Sequence, residues 1–508
     1  MRTGLSHPRT APITGVRRFI IDATAMFVYL WIVYVWSLTV HPLGRDYACM
    51  ADPAARMPFL ARGLLGWEVH TFGAHAVPYH LVNLALLYAC MLLLYRFVRL
   101  AVRGHAWLGT LAATLFMANP VHSEAVLNLC GAADLLPCLF ALLALTLYAE
   151  HTAEPRLWKL ALALGAFALA VLPYDGNAFL LLVVVLFEAL VVEKEKRRPG
   201  RMAPFLVLSL AGWVLNRSLF TAGNFDLEAM FLPLYFVFYP IGFLPETARS
   251  FQEAPWQLWV AAAFVVLVVA LICRKAKRPA IVFGLLSMLA LRLGAGGRVV
   301  DPVHLVGGGR LLLANALFNV ALAALFYRMM DHRKWQKPVV MLTTFLALVL
   351  FGLQIRAVVA WQHAGRIVRQ FQADAASAEE PVGVLPDFQY YVGAPMRLAE
   401  AVAHDTPFSK AIQAVPLLPL NYAPPKRLAV AVPEWTRDSG TLVVRGREPL
   451  DLIIYPYALA HPGASVRTQH ATVELVTVEP SHLVFRITPH TPPLPRTLLP
   501  VHRGAPGP

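Results

Sequence analysis

Charge is scarce in this chain, and negative charge scarcest. Of 508 residues only 15% are charged, with 30 Asp and Glu against 44 Lys and Arg. Soluble domains carry roughly a quarter of their residues charged, so an ordinary water-facing globular surface is excluded. Cysteine is thin as well: there are 5, with no Cys/His spacing that would build a zinc module. Cys90, Cys138 and Cys273 fall inside apolar stretches, where a thiol serves as a small apolar filler. Cys49 and Cys130 fall on the outer side of the topology derived below, where a disulfide or two unpaired thiols are both permitted. No internal repeat is found, in particular none with a period of about 34 residues, which excludes a tandem helical-repeat array. The first apolar stretch has no small-residue cleavage site behind it, so it reads as a retained anchor and not a removed signal.

Long apolar runs fill the space that charge leaves. Hydrophobic residues make up 58% of the chain and the mean hydropathy is +0.57. Runs long enough to cross a bilayer begin near Phe19, His80, Trp107, Asp134, Trp158, Asn177, Pro204, Gln257, Ala280, Arg310 and Pro338. They predict about eleven spans of about 20 residues each. The net charge of +14 sits in short clusters between these runs, at 17–18, 96–103, 194–201, 274–278 and 328–337. With every cluster and the N-terminus in the cytoplasm, the C-terminus lies outside. Clusters so placed orient helices and meet anionic lipid headgroups; they do not form a nucleic-acid surface. Residues 231–244 are apolar too but carry Pro233 and Pro240, with Pro245 just beyond, and read as a re-entrant or interfacial segment. The Ala-, Arg- and Leu-rich usage points to a bacterial plasma (inner) membrane.

The expected fold is therefore mainly α: a polytopic membrane helical bundle with a small β-containing extracytoplasmic C-terminal domain. The expected divisions are a basic cytoplasmic stretch at 1–18, the membrane domain at 19–361, the outer α+β domain at 362–490, and a Pro-rich disordered tail at 491–508. An amphipathic helix is expected to run to about Ala378. Alternating stretches at 428–432, 441–444, 452–455, 472–478 and 483–487 predict short strands.

The most informative stretch is Asn119-Pro120-Val121-His122-Ser123-Glu124-Ala125-Val126, followed by Gly131-Ala132-Ala133-Asp134-Leu135-Leu136. Ionisable groups between two membrane-length apolar runs are expensive to hold and mark a reaction site or ligand path. This stretch resembles the transmembrane-and-TPR O-mannosyltransferase-like family, a branch of the GT-C glycosyltransferases. Pro78-Tyr79-His80-Leu81-Val82-Asn83 is close to the family's Y-H-L-V-N, where His80 and Asn83 read as interhelical packing. Arg45-Asp46 and Arg56-Met57-Pro58 stand in the family's first outer loop, Tyr174-Asp175 at its Lys-Glu motif, and Gly309-Arg310 at its Glu-Arg.

The resemblance implies transfer of a sugar from a polyprenyl-phosphate donor to an extracytoplasmic protein or glycan. It implies contact with membrane lipids and the lipid-linked sugar, and is compatible with an oligomer or larger complex. That chemistry needs an acceptor-side carboxylate, a cation for the departing phosphate and a groove for the lipid. Asp46, His122 and Glu124 are the candidates for acceptor or divalent-metal binding, with Asp46 and Glu124 as metal ligands. Their plainer readings are a solvated interfacial Asp and a hydrogen-bonded pair that fixes a loop. Arg56, Arg298 and Arg310 are the candidate phosphate partners, Arg310 following Gly307-Gly308-Gly309. Asp134, Asp175 and His304 are supporting candidates, with Asp301 beside His304 and Asp134 read first as a helix cap. The sequence departs from the family pattern at Arg45, Ala132, Tyr174-Asp175 and Gly309. It also lacks the repeats. Two readings follow: a glycosyltransferase, or a catalytically silent relative acting as a scaffold subunit.

Overall fold

The computed structural model describes residues 15–51, 57–73, 75–102, 106–120, 123–172, 179–215, 279–294, 311–330 and 333–376, with strands and short pieces between 382 and 500. The chain is mostly helical. Among the described residues, five helices are long and apolar enough to cross a membrane: Val16–Thr39, Ala76–Val102, Leu129–Ala153, Leu312–Met330 and Arg333–Ala373. Five shorter apolar helices of 10–17 residues stand at other expected spans, below the roughly 20 residues that a straight crossing takes. The span expected from Gln257 and the segment 231–244 lie outside the described residues.

Ala76–Val102 is the centre of the bundle, packed against Ala106–Ala118 and Ala132–Ala153. Leu312–Met330 is buried on most sides, against Ala106–Ala118 and Pro279–Gly294. Outer helices show the reverse pattern. Ile20, Phe27 and Trp31 on the first helix are exposed, as are Met341, Phe345 and Leu348 on the last. Such faces meet lipid tails, which are as apolar as the side chains, so helix association depends on close fit. Small residues make that fit. A Cβ added at Gly284 would lie 2.6 Å from Leu317 O and 2.9 Å from Ala321 Cβ. Phe97, Tyr148, Phe167, Phe187, Phe205 and Phe283 interlock with centroid separations from 5.0 to 6.2 Å, closing one end of the bundle.

Arg333–Ala376 is one continuous helix of 44 residues. At about 1.5 Å per residue it is about 66 Å long, twice a hydrocarbon core of about 30 Å. It therefore runs straight through the boundary expected between 361 and 362. Its second half packs on the segment after the first helix: Gln362 Nε2 donates to Trp36 O at 2.9 Å and to Thr39 Oγ1 at 2.7 Å.

Among the described residues ten short strands follow, β1 Val382–Leu385, β2 Asp387–Tyr390, β3 Ala414–Pro416, β4 Pro419–Tyr422, β5 Leu428–Trp435, β6 Gly440–Gly446, β7 Ser465–Arg467, β8 Ala471–Glu479, β9 His482–Pro489 and β10 Thr497–Pro500. The main sheet is antiparallel with order β5-β6-β9-β8-β7, and bulges interrupt β5–β6 and β8–β9. Its alternating strands are the ones legible in the sequence, while 452–455 lies outside the described residues. The parallel sheet β10-β1-β3 was not expected, nor was β2-β4. β10 falls in the stretch read as a disordered tail; Thr497 pairs with Val382 and Pro500 with Leu385, so these residues are held in a ladder.

The glycine packing has a direct test. Gly284→Ala is expected to lower the melting temperature in detergent, with an overpacking cost of about 1–3 kcal/mol. Gly352→Ala, where nothing lies within 4 Å of the added carbon, is expected to leave it unchanged or slightly raised.

Candidate functional site

Asp46 is the third residue of a short helix, Gly44–Ala51, and is 1% exposed. Its Oδ2 accepts from Leu43 N at 2.9 Å, the reach back to the N-cap amide that an acid in the first turn makes. Its Oδ1 faces away and accepts from Leu129 N at 2.8 Å and from Cys130 N at 3.4 Å. Cys130 Sγ completes the junction by donating to Asp46 O at 3.8 Å. One carboxylate thus joins the segment after the first long helix to the loop that follows Ser123-Glu124-Ala125-Val126.

That second loop is shaped by its own polar residues. Asn128 Oδ1 accepts from Cys130 N at 2.9 Å and caps a single 3-10 turn, Leu129–Gly131. Asn83 Nδ2 donates to Asn128 O at 2.7 Å, and His80 Nε2 donates to Val40 O at 3.2 Å. Both side chains thus bond to backbone beyond their own helix. Gly131 is required sterically, because a Cβ there would run into Ala125 O and crowd Asn83 Nδ2. The approach to the loop is held too. Ser123 Oγ donates to Pro120 O at 2.7 Å and to Gln354 Oε1 at 3.1 Å, and Asn119 Nδ2 donates to Asn315 Oδ1 at 3.3 Å.

Of the residues expected at the site, Asp46 meets the loop at Leu129 and Cys130 that follows the Glu124 helix. Glu124 is 3% exposed on the Ser123–Leu127 helix, and its backbone oxygen accepts from Asn128 N at 3.1 Å. Asp134 is not a cap: the N-cap of Ala132–Ala153 is Gly131, and Asp134 lies in the first turn, where the helix dipole favours a carboxylate. His122, Arg56, Arg298, Arg310, Asp175 and His304 lie outside the described residues. Cys49 and Cys130 are both buried, and no disulfide joins them.

Among the described residues no three His, Cys, Asp or Glu side chains converge as a metal-binding group. Both Asp46 oxygens point at N–H groups, which repel a cation. The described residues do not fit a divalent ion at Asp46, and no chemical step below is routed through one.

A second carboxylate, missed in the sequence, has the opposite surroundings. Glu68 lies on the amphipathic helix Phe59–Phe72, whose Phe59 and Trp67 are exposed while Ala61, Leu65 and Glu68 are buried. Glu68 is 1% exposed and neither carboxylate oxygen has a hydrogen-bond partner. Burial pushes its pKa up from 4.5 to about 8. Tyr79 is within electrostatic reach of both Glu68 and Cys130, and the helix that carries Glu68 packs on Gly44–Ala51, the helix that carries Asp46. The signal in the sequence is a carboxylate on the apolar stripe of a helix, at the spacing of Ala61 and Leu65.

Known proteins share part of this chain. No family model matches it. A stretch of 93 residues is 38% identical to Protein O-mannosyl-transferase Tmtc2 of Drosophila melanogaster, covering 17% of this chain and 10% of that protein. Over 100 residues it is 35% identical to Protein O-mannosyl-transferase TMTC2 of Mus musculus, covering 19% of this chain and 12% of that protein. The match spans about a tenth of the length of these relatives. It is a partial likeness to membrane O-mannosyl-transferases.

Two measurements follow. Asp46→Ala strips partners from three backbone amides and is expected to destabilise the fold by several kcal/mol, at about 1–3 kcal/mol per orphaned group; detergent thermal unfolding reads it. For Glu68, the folded chain holds a proton between pH 4.5 and 8 that the unfolded chain has released. Its contribution to stability therefore falls as pH rises through that window. Glu68→Gln is expected to flatten this part of the stability–pH curve and to be most stabilising above pH 8.

Proposed function

We propose that this chain is an integral membrane glycosyltransferase that moves a sugar from a polyprenyl-phosphate donor to an extracytoplasmic protein or glycan. We place it in a bacterial inner membrane with its C-terminal strands outside. The observation that carries this reading is Glu68, a buried carboxylate without a partner beside a rigidly tied polar junction. With a pKa of about 8, the ionised fraction of Glu68 is a stronger base than an ordinary carboxylate, which suits general-base work on an acceptor hydroxyl. The acceptor O–H would give its proton to Glu68 as its oxygen bonds to the anomeric carbon of the sugar. The bond from that carbon to the phosphate oxygen breaks, and the lipid phosphate leaves with the electron pair. Arg56, Arg298 and Arg310 are proposed to receive that phosphate, and His122 and Glu124 to orient the acceptor. Asp46, with both oxygens occupied, is proposed as a positioning residue.

The occupied carboxylate of Asp46 also favours a second reading, a scaffold subunit in which the junction only stiffens the outer face. The two separate on Glu68→Gln, which keeps the shape and removes the base. The assay is sugar transfer from a polyprenyl-phosphate donor by membranes with matched protein levels. As an enzyme, the variant is expected to lose about 10²–10⁴-fold in rate. Unchanged transfer, or unchanged rescue of a deletion strain, would rule out Glu68 as the base. Asp46→Asn is the weaker discriminator, since its amide would face the Leu43 N–H and disturb the fold under either reading.

A further inference from the structure

A second polar site lies at the other end of the bundle. A cavity of about 460 Å³ opens between Ala76–Val102, Ala132–Ala153 and the segment Phe187–Lys196. Arg99 lies about 24 Å along its helix from Asn83, at about 1.5 Å per residue. That is close to the thickness of a hydrocarbon core, about 30 Å, so the cavity sits at the membrane interface opposite Asp46.

Its lining is divided by chemistry. Arg96, Arg99 and Lys196 supply positive charge against the single carboxylate of Glu193. Arg96 pairs with Glu150 at 2.9 Å and Lys196 with Glu193 at 3.0 Å. Arg99 is half-buried and has no carboxylate within ion-pair distance among the described residues. It donates to Tyr95 Oη at 3.1 Å and lies over the Tyr95 ring, while Tyr95 donates onward to Asp22. The nearby Glu188 is already engaged, accepting from Tyr148 Oη at 2.8 Å and Arg198 N at 2.7 Å. Beneath the charges the floor is apolar, from Leu100, Ala149, Phe187 and Val191. Phe187–Val191 is a single π-helical turn, a costly irregularity that recurs at functional sites.

We propose that this cavity binds one phosphate-bearing anionic headgroup, that of a lipid in the leaflet opposite the Asp46 site. A guanidinium without a carboxylate partner matches a phosphate oxygen pair. The apolar floor matches the glycerol and first methylenes of the chain, which a free phosphate lacks. The site is independent of any sugar transfer at the outer face.

The test uses the full chain in phosphatidylcholine nanodiscs, with phosphatidylglycerol or inorganic phosphate added and thermal stability read as the binding signal. Phosphatidylglycerol is expected to raise the melting temperature saturably. Arg99→Gln and Lys196→Gln are each expected to weaken its apparent affinity by roughly 10-fold, the scale of one charge-assisted hydrogen bond. Lys194→Gln, a charge on the same loop that does not line the cavity, is expected to leave it unchanged. Equal weakening by Lys194→Gln would mean diffuse attraction to the basic loop and overturn the site. A response to phosphatidylglycerol that neither cavity variant alters would overturn it as well. Equal stabilisation by inorganic phosphate would overturn the lipid assignment.

Discussion

One end of this helical bundle depends on one carboxylate that is fully occupied. Backbone amides buried near a membrane interface must find acceptors, because an orphaned donor costs about 1–3 kcal/mol. Asp46 supplies acceptors for three of them, drawn from two loops far apart in the chain. Every other polar contact of the junction starts from loops held in this way. Asn83 reaches the second loop at the position Asp46 fixes, and Gly131 gives the loop room to pass beneath Ala125. The long last helix packs on the assembly through Tyr47 Oη, which donates to Gln372 Oε1 at 3.3 Å, and Gly44 N donates to Met396 O at 2.8 Å beyond that helix.

Beside this saturated carboxylate sits an unsatisfied one. Environment separates acid–base roles more sharply than residue type does, and Asp46 and Glu68 are a case of it. Three amide donors already fill the oxygens of Asp46. Glu68 has no donor, so burial alone governs it and keeps the proton on to about pH 8.

The two membrane interfaces are built by different means. On the Asp46 side, order comes from side-chain-to-backbone bonds between loops. On the other side it comes from an aromatic cluster around Phe187 and from charge pairs such as Lys159 with Glu150 at 3.5 Å. Between them the helices meet through small residues, Gly109 against Tyr95, Gly212 against Val171 and Gly284 against Leu317. Lipid offers no solvent penalty to drive apolar helices together, so contact distance decides which faces pair. The likeness to O-mannosyl-transferases covers only a fraction of this framework.

Composition and periodicity alone determined that the chain is a membrane helical bundle with strands after it, since long apolar runs and strict alternation each have one economical fold. The approximate positions of Ala76–Val102, Ala132–Ala153 and the strands β5, β6, β8 and β9 were legible for that reason. The parallel strands β1, β3 and β10 were not, because short segments paired over long separations carry no local period. The importance of Asp46 was legible from its place after the first span, but its role was not. A sequence shows a carboxylate, whereas only the fold shows that three amides already fill its lone pairs. Glu68 stayed hidden because its helix reads as an ordinary amphipathic one until neighbouring helices cover the face that holds it. Tertiary packing decided both roles, because what a carboxylate can do depends on which donors and how much water remain around it.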